Sequence, residues 1–256
     1  YEVTSKDIAF WWIGLIPAGW SAEEIALRNL RMGILPPKSG SFANPFNEWI
    51  GAQMRGGICG MVAPGDARMA AQLAWSDGEI SHANNGILGE IFNAVMTSVA
   101  FVCEDIHAVI ETAISVIPAD SEYYSVISFA HECCLTYENW RDALTACQKR
   151  FRRYNWIHAY PNVCCEIFAL WYGNGNYEET LEIITMCGYD VDCNAGMILP
   201  VLAIQQGMSI IPERLIHPDF AELSTYMREA RKISLDELVD DTLLSIKKAY
   251  ERRNVK

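Results

Sequence analysis

Gly86-Ile-Leu-Gly-Glu-Ile-Phe-Asn-Ala-Val-Met-Thr-Ser-Val-Ala-Phe-Val-Cys103 places apolar side chains at Ile87, Leu88, Ile91, Phe92, Val95, Met96, Val99 and Val102. This is the i, i+3, i+4, i+7 recurrence of a helix turned toward a core, because a period near 3.6 gathers those positions on one stripe. The same period runs outward in both directions. Pro64-Gly65 feeds a helix capped near Asp66, and residues 105–115 form another that stops at Ile117-Pro118. Further helices are expected from Ser121, from Thr136, over residues 162–171 and over 177–187, the last two separated by the turn Gly173-Asn-Gly-Asn. Strand-like alternation is nearly absent. The expectation is an all-α fold, a compact multi-helix array whose loops carry the polar motifs.

The 256 residues suit one large domain, or a domain with a small appendage, and an apolar share of 51% is enough for a substantial core. A net charge of −12 argues against a nucleic-acid partner, which needs a basic face. No apolar run reaches the roughly eighteen residues of a membrane span, and no cleavable leader is recognisable at the start. Nine cysteines without C-x-x-C spacing read as buried free thiols in a reducing cytoplasm. A monomer is expected. Beyond Pro212 the chain becomes charge-rich, and Ser234 with Glu237 fits a capping box at the start of an amphipathic helix. Residues 1–212 are therefore taken as the main domain, with 213–256 as a helical extension packed on it.

The chemistry concentrates in Gly188-Tyr-Asp190-Val-Asp192-Cys193-Asn194, set between two apolar runs. Buried ionised carboxylates are costly unless a cation or several donors satisfy them, and two so close repel each other. A hard divalent ion is one way to hold both; a second is that one aspartate caps the following helix while the other faces water. Asn44, Asn47 and Glu48 beside Phe46 and Trp49 suit a pocket wall, and solvation of a loop explains them as well. His82 lies in a loop rich in Ser, Asn and Gly, whereas His107, His131 and His217 have no partner pattern and receive no role.

Three ordered blocks bear a wider likeness. Gly173-Asn-Gly-Asn-Tyr-Glu leads into Gly188-Tyr-Asp-Val-Asp-Cys-Asn194; Gly51-Ala-Gln-Met-Arg55 is followed by Ala63-Pro-Gly65; Ser81-His82 precedes Gly86-Ile-Leu-Gly89. In these blocks the chain resembles the ADP-ribosylglycohydrolase family. The resemblance implies an all-α fold, two Mg²⁺ ions, and hydrolysis of the glycosidic bond between ADP-ribose and a protein side chain or small ADP-ribosyl compound. It implies Asp190, Asp192 and Cys193 as metal ligands, with Cys193 standing where the family usually has Thr. It also implies Gly51, Ala52, Gln53 and His82 as substrate-binding residues. The family's N-terminal blocks, which carry further metal ligands and the expected general base, are not found here, so the N-terminal segment of the domain is expected to be missing and no catalytic residue is assigned. The alternative is a relative that has lost hydrolysis and keeps ADP-ribose binding or a structural role.

Overall fold

The computed structural model describes residues 3–216 and 221–253. Its first helices are α1 (Ser5–Leu15), α2 (Ser21–Arg31), the short α3 (Lys38–Ser41) and α4 (Gly57–Met61), and α5 (Ala67–Ser81). There follow α6 (Asn85–Ala100), α7 (Ile106–Ser115), α8 (Glu122–Thr136), α9 (Trp140–Arg150), α10 (Ala159–Gly173), α11 (Tyr177–Cys187), α12 (Val191–Gln206) and α13 (Leu235–Arg253). Most starts follow from local chemistry. A side-chain acceptor at the cap takes one of the unpaired N–H groups of the first turn, as at Thr4, Asp66, Asp105, Ser121, Asn139 and Asn176. The start expected at Thr136 moves for this reason: Thr136 ends α8, and Asn139, which accepts from the Asp142 N–H, opens α9.

α6 and α10 have almost no solvent face. The sequence pattern of α6 foretells one apolar stripe, yet its polar Glu90, Asn93, Thr97 and Ser98 are buried too, because α4 and α5 pack against it as well as α7 and α12. α10 is ringed by α8, α9, α11 and α12. Phe92, Met96, Tyr123, Tyr160 and Phe168 are fully buried where these helices meet, and each such side chain contributes about 1.5–3 kcal/mol by leaving water. A smaller cluster of Ala9, Leu30 and Ile80 fastens α1 and α2 to α5. All nine cysteines are free thiols and seven are buried, as their apolar settings imply.

The extension departs from its expected all-helical form. Residues 222–224 and 232–234 pair as an antiparallel hairpin, β1 (Glu222–Ser224) with β2 (Lys232–Ser234), before α13 begins. Three-residue strands are too short to leave an alternation in the sequence. The hairpin loop donates the Arg228 N–H to the Leu15 carbonyl, and the Tyr250 hydroxyl donates to the Pro64 carbonyl. Among the described residues no helix is long and apolar enough to cross a membrane.

Candidate metal centre and its supporting loop

α11 ends at Cys187, and two successive residues of positive φ, Gly188 (74°) and Tyr189 (65°), turn the chain into α12. The left-handed region is open to glycine but strained for tyrosine, so the surrounding packing must hold this turn. Asp190 then stands at the cap position of α12, yet its carboxylate accepts no backbone N–H of the first turn. Its backbone is anchored instead: the Asp190 N–H donates to Asn162 Oδ1 at 3.0 Å, and its carbonyl accepts the Asn194 N–H at 2.9 Å. The ligand atoms of Asp190, Asp192 and Cys193 come within 4.8 Å of one another. Partial burial, and then the Asp192 carboxylate, raise the Asp190 pKa against the pull of the Cys193 thiol. Burial and the Asp190 carboxylate push that thiol up to about 12.

The second component is the loop before α4. Ile50 donates to the Ile157 carbonyl (3.0 Å) and Ala159 to the Glu48 carbonyl (3.2 Å), so segment 48–50 is zipped onto segment 157–159. Gly51, Ala52 and Gln53 follow, all buried. The Glu23 carboxylate occupies the space a side chain at Gly51 would need. An acidic group therefore lies against Gly51, which the resemblance implies as a substrate-binding residue. Gln53 is a three-way connector: Nε2 donates to Glu166 (3.0 Å), Oε1 accepts the Tyr123 hydroxyl (2.9 Å), and its carbonyl accepts from Asn93 (3.1 Å). Burial pushes the Glu166 carboxyl up to about 8, although Gln53 and Asn93 oppose it.

His82 is also buried, with both ring nitrogens engaged. The Ala52 N–H donates to Nε2 at 3.2 Å, which leaves Nδ1 to carry the proton and donate to Ser81 Oγ at 2.8 Å. Burial and the neighbouring Arg55 hold its pKa well below the ordinary range, so the ring is neutral. The ring is thus a peg for the loop. A surface groove of about 810 Å³ on this side is lined by Trp75, Glu79, Asn84 and Asn85 among others, without the Asp190 cluster. The loop meets that cluster elsewhere, where exposed Met54 brings Sδ to 3.4 Å from Cys193 Sγ. The wall expected around Asn44 is largely internal: its amide donates to the Ala22, Gly40 and Ser81 carbonyls. His217 lies outside the described residues.

Sequence reasoning misses a half-buried charge cluster beside this loop, of which Glu90 is fully buried. The Arg55 guanidinium bonds Asp77, Glu23 (2.9 Å) and Ser81 Oγ (2.9 Å), and lies 3.7 Å from Glu90. Burial and the Asp77 charge raise Glu90 well above the carboxylate range, so it is carried protonated. Burial would raise Asp77 as well, but Arg55 and a hydrogen bond with Glu90 hold it low. The signal was a single acid inside an apolar helical run, at Glu90 as at Glu166.

No curated protein and no solved structure matches this chain. A family model does: that of ADP-ribosylglycohydrolase, over residues 4–249. The match extends from the cap of α1 into α13 and takes in both the Asp190 turn and the loop that leans on it, and by it this chain belongs to the ADP-ribosylglycohydrolase family.

Proposed function

We propose that the protein is a Mg²⁺-dependent hydrolase that cleaves the glycosidic bond between ADP-ribose and a modified protein side chain or a related ADP-ribosyl compound. The observation that carries this reading is the cluster of Asp190, Asp192 and Cys193. The Asp190 carboxylate forgoes the cap bond open to it, and among the described residues no Lys or Arg pairs with Asp190 or Asp192. Family membership supports the substrate class.

The donor set fits a hard divalent cation. Asp190 and Asp192 would hold it, since Mg²⁺ commonly takes one or two carboxylates and keeps water at its other positions. Cys193 is the weakest of the three, because a thiol held up to about 12 is protonated and sulfur suits softer metals. Bound there, such an ion would polarise the ribose hydroxyls and a water near the anomeric carbon. The rest is positioning by the chain itself. Gly51, Ala52 and Gln53, pegged by His82 and Glu166, would act from behind, holding Met54 against Cys193 so that the substrate meets a wall of fixed place.

The test is Mg²⁺ titration by calorimetry together with ADP-ribose release from ADP-ribosyl-arginine and ADP-ribosyl-serine peptides, with and without EDTA. Mg²⁺ binding and EDTA-sensitive release from one peptide class are expected. Cys193, where the family usually has Thr, puts a soft sulfur in place of a hard oxygen and favours a second reading, a relative that binds ADP-ribose without hydrolysing it. Mg²⁺ and ADP-ribose binding with no release from any peptide would select that reading. A chain that binds neither would end both.

A further inference from the structure

We propose that Asn162 is the positioning residue of the metal centre: it locks the Asp190 turn to the loop opposite and keeps the Asp190 carboxylate free for a cation. The inference rests on the cation reading above. Asn162 lies in the first turns of α10 and is fully buried. A primary amide has two donor hydrogens and two acceptor lone pairs, and all four are used. Oδ1 accepts the Asp190 N–H at 3.0 Å and Asn194 Nδ2 at 2.8 Å, while Nδ2 donates to the Trp156 carbonyl at 2.9 Å and the His158 carbonyl at 2.8 Å.

These four partners lie on two segments that approach only through tertiary packing. Asp190 and Asn194 belong to the acid turn. Trp156 and His158 belong to the segment zipped onto residues 48–50, which lead into Gly51–Met54. Met54 then returns to Cys193. The contacts close a ring from Asp190 through Asn162, segment 156–159 and the loop back to Cys193, and Asn162 is the side chain that joins its halves.

A second comparison gives the reason for the lock. Asp66 and Asp190 are both caps, with nearly the same ψ of 77° and 70°. Asp66 turns its carboxylate onto the Met69 N–H, as a cap does, whereas Asp190 does not. The Asp66 N–H donates to the nearby Ala63 carbonyl, and the Asp190 N–H donates to Asn162. With Asn162 gone, Asp190 is expected to settle onto the Cys193 N–H as an ordinary cap and to withdraw its carboxylate.

The experiment measures Mg²⁺ affinity by calorimetry, Mn²⁺ binding by electron paramagnetic resonance, and hydrogen exchange of the Asp190 amide in metal-free protein. Asn162→Ala is expected to weaken Mg²⁺ binding about 10–100-fold, as loss of an outer-shell partner does, and to remove protection of that amide. Leu170→Ala, a buried truncation on α10 away from the turn, should lower Tm and leave Mg²⁺ affinity within about twofold. An equal loss of affinity in Leu170→Ala would show general destabilisation and overturn the role. Should Asn162→Ala not fold, Asn162→Asp retains the acceptor and, protonated, one donor; it should keep the Asp190 amide protected and bind Mg²⁺ nearly as the unaltered chain does. Protection retained with affinity lost would overturn the proposal. Asp190→Asn separates the two inferences. If it binds Mg²⁺ as the unaltered chain does, or if the unaltered chain binds none, the cation reading falls and takes the positioning role with it. If Asp190→Asn abolishes binding while Asn162→Ala does not reduce it, the positioning role falls alone.

Discussion

Two regions of this molecule gather carboxylates, and they resolve the repulsion differently. Around Arg55, three acids share one guanidinium, and protonating Glu90 in the fully buried position lowers the surplus charge. At the Asp190 turn, two acids and a thiol converge with no protein cation beside them among the described residues. The first cluster is closed, since its cation comes from the chain and its function is to fasten α2, α5 and α6 to the loop. The second is open, and on the function proposed above its cation comes from outside. The same residue types therefore indicate structure or chemistry according to whether the fold supplies the counter-charge.

The sharpest way to break this contrast is to remove the cation from the closed cluster. Arg55→Met leaves the half-buried Glu23 and Asp77 carboxylates without a partner and should cost about 3 kcal/mol in denaturant unfolding. A loss below about 1 kcal/mol would mean the cluster is not held together by Arg55. At the open cluster the sign reverses. Asp190→Ala and Asp192→Ala should each lower Mg²⁺-dependent ADP-ribose release about 100-fold or more, while metal-free Tm stays level or rises as repulsion is relieved. Unchanged release in both variants would move the metal elsewhere.

Glu166 stands between the two regions, and its carboxyl is raised from 4.5 to about 8. A group that binds its proton more tightly when folded stabilises fully below the unfolded value and loses that contribution as pH rises through the folded one. Stability should therefore fall from about pH 4.5 to about pH 8, by up to about 1.4 kcal/mol per pH unit, and Glu166→Gln should flatten that slope in pH-dependent unfolding. An unchanged slope would place the titration on another group. The smallest expected difference concerns the two caps. Asp66→Ala should cost about 1 kcal/mol in thermal unfolding, and Asp190→Ala none, because only Asp66 uses its carboxylate as a cap.

Much of the helical frame was legible in advance because it is local. Asp66 and Ser121 mark helix starts within three residues of the N–H groups they accept, and the stripe from Ile87 to Val99 announces α6 without reference to any other part of the chain. The convergence of Asp190, Asp192 and Cys193 was legible for the same reason, since side chains so near in sequence are near in space. The hairpin at 222–234 was not, because its strands are shorter than any pattern that could reveal them.

By itself, the sequence determined the helical period, most of the caps and the gathering of two carboxylates at one turn, all set within a few residues by backbone geometry. Only the tertiary structure decided which polar groups face inward and what they meet. His82 points into the loop at Ala52, Glu90 comes within 3.7 Å of Arg55, and Asn162 reaches from α10 to Asp190, 28 residues away. Those outcomes depend on which helices close over α6 and α10. A buried amide or carboxyl takes whichever partner the packing brings within hydrogen-bond reach, and no local pattern carries that information.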